Sequence, residues 1–349
     1  MAVVSISKQA ERDLVDNVRR TIIVVAGALL VAVSLTACSG SDNTLTVYSG
    51  RSEELVAPLI EQFEAESGLD VEVRYGESAS LAATILEEGE DSPADVFFAQ
   101  DPGSLGTVAG AGLFRELPVD VVAPVPPRFR DRDNRWIGVS GRSRVFVYDE
   151  TRIDADQLPA SEDELTSDEW AGRVALAPTN GSFLSFVAAK IILDGEEATL
   201  AWLEAMEANG SPTYEGNLPI VAAVDAGEVD AGLVNHYYLL RLIDEGGDVN
   251  AVNHFMDGTT AGSLVMPAGA GILVGGGEDA STQFIEFLLS EEAQAFFADE
   301  TFEYPLVEGV EPYPGLPPID SIATPDIDLS SLADVLDRAT DLVAQAGLL

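Results

Sequence analysis

Cysteine and lysine are almost missing from this 349-residue chain, and each absence removes a class of chemistry. Cys38 is the single cysteine, so no disulfide can close within the chain. Lysine occurs only at positions 8 and 190, which rules out a Gly-Lys-Ser/Thr phosphate loop. The two histidines, His236 and His254, do not form a His-Glu-x-x-His zinc motif. There is no Gly-x-Ser-x-Gly nucleophile elbow, and the glycine run 269–277 lacks the dinucleotide fingerprint. These gaps argue against an enzyme. Positive charge is also scarce: 18 Lys and Arg face 60 Asp and Glu, for a net charge of −42. Such a field repels nucleic acid and anionic lipid and favours cations in general, without naming one. An acid-rich, lysine-poor surface also suits a high-salt habitat, where screening removes self-repulsion.

Long apolar runs are rare, and the one at 21–33 is placed informatively. Arg19-Arg20 precedes it and Leu35-Thr36-Ala37-Cys38 closes it. A basic region, a short apolar core and small residues before a cut make a secretory signal. The Leu-Thr-Ala-Cys stretch resembles a lipobox, with Cys38 as the acylated residue. The expectation is a lipoprotein signal peptide at 1–37, a lipid-anchored linker at 38–43, and a location on the outer face of the cytoplasmic membrane. Two or more acyl chains anchor stably where one does not. The alternative, an uncleaved membrane anchor, leaves the rest of the chain outside the membrane as well. Lys8, Arg12, Arg19 and Arg20 outweigh Glu11, Asp13 and Asp16 by one, so the remaining chain carries −43.

Beyond that segment strand and helix patterns alternate. Residues 45–49, 71–75 and 95–99 read as strands. Residues 53–67 and 81–88 read as helices, the first with Leu55, Leu59, Ile60 and Phe63 on one face and Ser52 placed to cap it. This order predicts an α/β fold with a parallel sheet and right-handed crossovers. Ligands in such sheets gather at the carboxyl ends of the strands, here 49–52 and 99–101. A second cycle has strands at 136–140, 144–148, 174–177 and 230–234, with 141–143 as a break between the first two. Helices are predicted at 183–193, 196–209 and 218–226. Residues 264–274 suit a long strand crossing back, and 330–346 show helical spacing. No fixed-period repeat occurs, and 312–318 is the one conspicuous proline-rich loop.

Asn235-His236-Tyr237-Tyr238, just after a predicted strand, is the most informative stretch. A phenol has an ordinary pKa near ~10, so it ligates at neutral pH only to a cation strong enough to displace its proton. Ferric iron, small, trivalent and oxygen-seeking, fits that requirement. A plain buried-aromatic role is the competing reading of the pair.

With Val-Tyr-Ser-Gly at 47–50, Ser-Pro-Ala-Asp-Val-Phe at 92–97, Ser-Gly-Arg-Ser-Arg-Val at 140–145, Pro-Thr-Asn-Gly-Ser-Phe-Leu at 178–184 and Glu-Tyr-Pro-Leu at 303–306, the chain resembles the ferric-ion-binding lipoproteins of bacterial ABC importers. The resemblance implies a two-domain type II periplasmic-binding-protein fold with two hinge-crossing strands, near 140–145 and 262–271. It places one domain at 44–142 and 269–316 and the other at 143–268 and 317–349. It implies Tyr237 and Tyr238 as paired phenolate ligands. The family's histidine and glutamate positions hold Ser52 and Gln100 here, weaker ligands without charge. Asn180, Gly181, Ser182, Asn217 and Asn235 match its anion contacts, for phosphate, carbonate or citrate. The implied partners are ferric iron and the permease and ATPase of an ABC importer, with the protein a monomer held to the membrane only by its lipid.

Several of these residues carry a second reading. Asn180 and Ser182 suit helix capping as well as anion binding, since a helix N-terminus offers free N–H groups to either. Arg51 and Arg142 lie near the expected cleft, as partners of an anion or of a salt bridge. Asp101 and Glu53 are carboxylates that compensate for the lost ligands or simply charge a helix start. His236 is a group supporting the tyrosines, an alternative ligand, or a structural residue. Two further functions stay open: the same fold carrying an organic cation, a phosphonate or another oxyanion, and a hydrolase or adhesive surface lipoprotein that no longer transports.

Overall fold

Apolar spacing and glycine stops translate directly into the first elements: β1 (Thr44–Ser49), α1 (Glu53–Ser67), β2 (Asp70–Tyr75), α2 (Ser78–Glu88), β3 (Val96–Ala99) and α3 (Pro102–Gly110). The computed structural model describes residues 43–246 and 249–349, so the expected signal segment and Cys38 lie outside the described residues. Helix α1 buries Val56, Leu59, Ile60 and Phe63 and ends at Gly68, whose φ of 72° no side chain would favour. Ser52 stands at its N-cap but makes no side-chain capping bond, contrary to expectation. Asp101 does cap α3, accepting from the Ser104 N–H at 2.7 Å.

A one-turn helix, α4 (Val119–Val122), precedes the long strand β4 (Ile137–Asp149). Then follow β5 (Val174–Ala175), α5 (Gly181–Asp194), α6 (Glu196–Ala208), α7 (Asn217–Asp225), β6 (Ala231–Asn235) and α8 (Tyr237–Asp244). The chain closes with β7 (Ala251–His254), β8 (Val265–Ile272), α9 (Glu278–Leu288), α10 (Glu291–Asp299), β9 (Tyr304–Pro305) and α11 (Leu332–Gln345). Helices α3, α4, α8, α9 and α10 and strands β7 and β9 went unpredicted; of these α4, α8, β7 and β9 are too short for a period to show.

The strands form one sheet in the order β2-β1-β3-β8-β4-β6-β5, with β7 and β9 also pairing with β4. β1 and β3 run parallel, as do β5 and β6. β8, however, is antiparallel to β3 and to β4, and β4 is antiparallel to β6, so the expected parallel sheet is mixed. A chain that crosses the molecule once and later returns must run opposite ways in its two crossing strands.

The predicted break at 141–143 is absent. β4 is continuous through all 13 of its residues, every one buried. Its first half pairs with β8, as far as Ser143 against Val265; from Arg144 onward it pairs with β6. The Gly-Arg-Ser segment is therefore where the strand changes partners, not a turn. Gly141 suits a tightly packed position: a Cβ would lie 3.0 Å from the Leu306 side chain and 3.2 Å from that of Tyr304.

Residues 45–349 form one compact unit. Helix α11 packs on α5 and α6 and also on α3. Close approach near α3 depends on Gly106, where a Cβ would sit 2.4 Å from the Ser330 carbonyl oxygen and 3.1 Å from the Ser330 Cα. Backbone cannot yield as a flexible side chain can. Gly106→Ala is expected to cost about 1–3 kcal/mol in urea unfolding. Gly110→Ala, with nothing within 4 Å of the new carbon, is the matched control and should be neutral or slightly stabilising.

Candidate functional site

Strand β6 ends at Asn235 and hands His236, Tyr237 and Tyr238 to the first turn of α8. The two phenol rings stack, with centroids 4.3 Å apart and planes 28° from parallel. Tyr237 is buried, and Tyr238 is half-buried in the wall of a pocket of about 310 Å³. Gln100 after β3, Arg142 on β4, Asn180 to Ser182 at the start of α5, and Asn235 line the same pocket. Three of these groups stand at the carboxyl ends of strands, where α/β sheets gather ligands. Burial pushes the Tyr237 phenol well above its ordinary value; the Tyr238 phenol adds to the rise and Arg142 opposes it. It stays protonated until a strong Lewis acid displaces the proton.

The asparagines and serine are wired together. Asn180 Oδ1 accepts from the Ser182 N–H at 3.1 Å, from Ser182 Oγ at 2.6 Å and from Asn217 Nδ2 at 3.1 Å. Asn217 Oδ1 in turn accepts from the Asn235 N–H at 3.1 Å. Asn180 thus caps α5, as one of its two readings held, while Asn217 lies behind the pocket wall and orients the others.

Three arginines enter the site buried. Arg51 Nη2 donates to both oxygens of Glu303, at 2.9 and 3.0 Å, and Glu303 also accepts from Ser140 Oγ at 2.5 Å. Arg142 Nη2 donates to the Gln100 carbonyl. With its amide turned to satisfy both neighbours, Gln100 also accepts from Arg142 Nη1 and donates to the Gly50 carbonyl, each at 3.3 Å. Arg144 donates to Ser182 Oγ at 3.2 Å and to the Leu233 carbonyl at 3.4 Å, and reaches Asn235 Oδ1 at 3.5 Å. Burial pushes its guanidinium down to about 9, against a small opposing pull from Tyr238.

Sequence reasoning overlooked Arg144 and Glu303. For Arg144 a signal existed: Ser140, Arg142 and Arg144 alternate within 137–147, where the other residues are small or apolar, so their side chains share one face. Glu303 is 252 residues from Arg51, and nothing local announces the pair.

Other candidates are not brought in. Ser52 and Glu53 are exposed and do not line the pocket. Asp101 borders it, but both its carboxylate oxygens accept from Ser104. His236 is buried with both ring nitrogens occupied: Nδ1 accepts from the Ser143 N–H at 3.1 Å, and Nε2 donates to the Phe302 carbonyl at 2.9 Å. It is a strut between β4 and the segment carrying Glu303, not a ligand. Phe302 sits at φ 58°, a strained conformation that this bond helps to hold.

These groups make the fold acid-sensitive. Burial holds His236 neutral, its value pushed down to about 4, whereas in the unfolded chain it takes a proton near 6.5. Burial alone would raise the Glu303 carboxyl, but Arg51 and Arg142 hold it below its usual 4.5. In both cases the unfolded chain binds more protons, so stability must fall as pH falls. Melting temperature should decline from about pH 6.5 towards 4 through His236 and further below 4.5 through Glu303. Glu303→Gln strands the Arg51 charge and should cost about 3–5 kcal/mol at pH 7 by chemical denaturation.

Comparison with known proteins agrees with this architecture. Residues 91–319 match the family of bacterial extracellular solute-binding proteins. The chain is 32% identical over 329 residues to an Fe(3+)-binding periplasmic protein of Serratia marcescens, covering 93% of this chain and 96% of that one. Iron-bound HitA from Pseudomonas aeruginosa superposes with a TM-score of 0.81 at 34% identity, over 87% of this chain and 99% of the other. A Trichodesmium protein solved with iron and citrate gives 0.77 at 26% identity, over 87% and 99%. With a matched family model over most of its length and a shared two-domain type II α/β fold, the chain belongs to the bacterial extracellular solute-binding proteins.

Proposed function

We propose that this protein captures Fe(III) through the phenolates of Tyr237 and Tyr238, together with an anion, and delivers it to the permease and ATPase of an ABC importer. The observation that carries the proposal is the stacked phenol pair, with Tyr238 in the wall of a pocket lined by hydrogen-bond donors and Tyr237 buried against it. Few biological cations displace two phenolic protons at neutral pH, and ferric iron is foremost among them. Relatives named for ferric-iron binding and iron uptake, from Serratia marcescens and Synechocystis, support the same cargo.

The neutral groups near the tyrosines leave a charge deficit. Two phenolates offset two of three positive charges, Gln100 is uncharged, and Ser52 is outside the pocket. An anion seated on Asn180, Gly181, Ser182 and Asn235, with Asn217 behind them, supplies the remainder, since residual charge in a desolvated cleft is costly. Phosphate, carbonate and citrate each have the chemistry for it. Closure of the lobes 44–142 with 269–316 against 143–268 with 317–349 then seals the assembly, as in other hinge-bending binding proteins. In this proposal Cys38 carries the lipid that keeps the protein extracytoplasmic and membrane-anchored.

A second reading has one observation in its favour. Arg142 and Arg144 pair with no carboxylate within ion-pair distance among the described residues, which suits an oxyanion as cargo in its own right. Ferric salt separates the two readings. The iron reading expects a visible phenolate-to-iron band, absent if an oxyanion alone is carried.

Tyr237→Phe and Tyr238→Phe should each lose the band and weaken iron binding beyond the roughly 10–100-fold typical of supporting groups, with unfolding midpoints close to the parent. Iron titrations unchanged in both variants would remove the assigned ligands. Binding should also release up to about two protons and weaken as pH falls. Calorimetry in buffers of different ionisation enthalpy reads that release directly.

A further inference from the structure

The proline-rich stretch at 312–318, conspicuous in the sequence, borders a groove of about 580 Å³. The loop at 123–130 forms the facing wall. Six of the chain's 18 prolines, Pro124, Pro126, Pro127, Pro305, Pro312 and Pro318, line this one groove. Val125, Phe129 and Leu306 are buried and make its floor. The Leu306 side chain packs against β4: a Cβ on Gly138 would lie 2.9 Å from it, and one on Gly141 3.0 Å. Arg142, next along β4, lines the pocket beside the tyrosines, and successive side chains on a strand point to opposite faces. The groove is therefore on the other face of β4 from that pocket.

Proline carries no N–H, so these walls present ring faces and carbonyl oxygens but few donors. The N–H groups of Val125, Phe129 and Arg130 are spent on carbonyls within 122–127, and those of Leu306 and Val307 on Gln294 Oε1. Arg130 Nη1 donates to the Val122 carbonyl at 2.7 Å, and Arg128 Nη2 to Asp320 Oδ1 at 2.7 Å. Glu308 and Glu311 on the rim are exposed and have no ion-pair partner among the described residues. Pro126 (φ −55°, ψ 142°) and Pro318 (φ −55°, ψ 136°), one on each wall, hold the extended polyproline conformation. The surface is thus preformed, apolar, rich in acceptors and negative. It complements aromatic rings that carry a donor, which stack on proline and bond to carbonyls, and basic side chains that meet the acids. A second copy of this chain, at net −42, and anionic lipid are both repelled by such a rim. We propose that the groove docks a partner protein through a segment that combines tryptophan or tyrosine with arginine or lysine. Docking there leaves the tyrosine pocket uncovered, so the proposal stands or falls apart from the iron reading.

The probe is a fluorescein-labelled peptide of tryptophan and arginine spaced by serine. Its binding to the full chain is read as anisotropy in about 0.15 M salt, where the Debye length is ~8 Å. A matched peptide has every tryptophan replaced by alanine. The proposal expects the tryptophan peptide to bind at least about tenfold tighter, the scale of one aromatic anchor at an interface. Glu308→Gln with Glu311→Gln should weaken it roughly three- to thirtyfold, the range for two exposed ion pairs. Val310→Lys, a cation in the groove wall, should abolish binding while the melting temperature stays close to the parent's. Glu204→Gln with Glu207→Gln removes the same charge from the exposed side of α6 and should change binding less than about twofold at this salt. Failure of the tryptophan peptide to bind overturns the proposal. Equal binding by the alanine peptide, or equal loss in the two glutamine pairs, also overturns it, since either shows attraction to net charge alone. Where Val310→Lys does not fold, the glutamine pairs, all at exposed positions, decide the question.

Discussion

The site depends on positive charge being buried along one strand. β4 passes through the centre of the sheet with no exposed residue, yet it carries Arg142, which lines the pocket, and Arg144, which reaches the pocket-lining Ser182 and Asn235 from behind. Such a placement is expensive in a protein interior. It is tolerated because hydroxyl, amide and carbonyl oxygens from three different segments converge on the guanidiniums. Those same segments are the ends of β3 and β6 and the start of α5, which are also the walls of the pocket. Satisfying the arginines and building the site are one structural act.

A second contact set ties the tyrosines to that strand. His236 bridges the Ser143 N–H and the Phe302 carbonyl, so the residue before Tyr237 is held to β4 on one side and to the 302–303 segment on the other. Glu303, next in that segment, holds Arg51 and Ser140. The stacked phenols therefore rest on hydrogen bonds to rigid backbone, not on a free loop. Positioning of this kind keeps the two phenols together without spending binding free energy to order them.

Charge elsewhere follows a different rule. Lys190 is buried among Glu162, Asp163 and Asp194, with contacts of 3.1, 2.6 and 2.8 Å, and its head lies 5.8 Å from the Trp202 ring centre. Those acids form a close carboxylate cluster, but the lysine answers their charge, and the group reads as a structural cage. The contrast with Arg144 is informative: Lys190 is answered by three carboxylates, whereas Arg144 meets only hydroxyl, amide and carbonyl oxygens.

Much of this was legible in the chain itself. Apolar periodicity and glycine stops located α1, α2, α5, α6 and α7 within a few residues, because those helices are long enough for their period to repeat. The adjacent tyrosines, the Asn-Gly-Ser helix start and the ordered short motifs pointed to the pocket, since each is local in sequence. Tertiary structure decided the rest. The continuity of β4 came from partners 83 to 165 residues away in the chain, Asn235 of β6 against Arg144 and Pro305 of β9 against Ser140 among them, which no local pattern encodes. Exclusion of Ser52, the turning of Asp101 to its own helix, and the choice of Glu303 for Arg51 were likewise settled by which backbones meet. Sequence determines what each segment can form and which groups it brings; only packing determines which charges meet an opposite charge and which meet neutral oxygens alone.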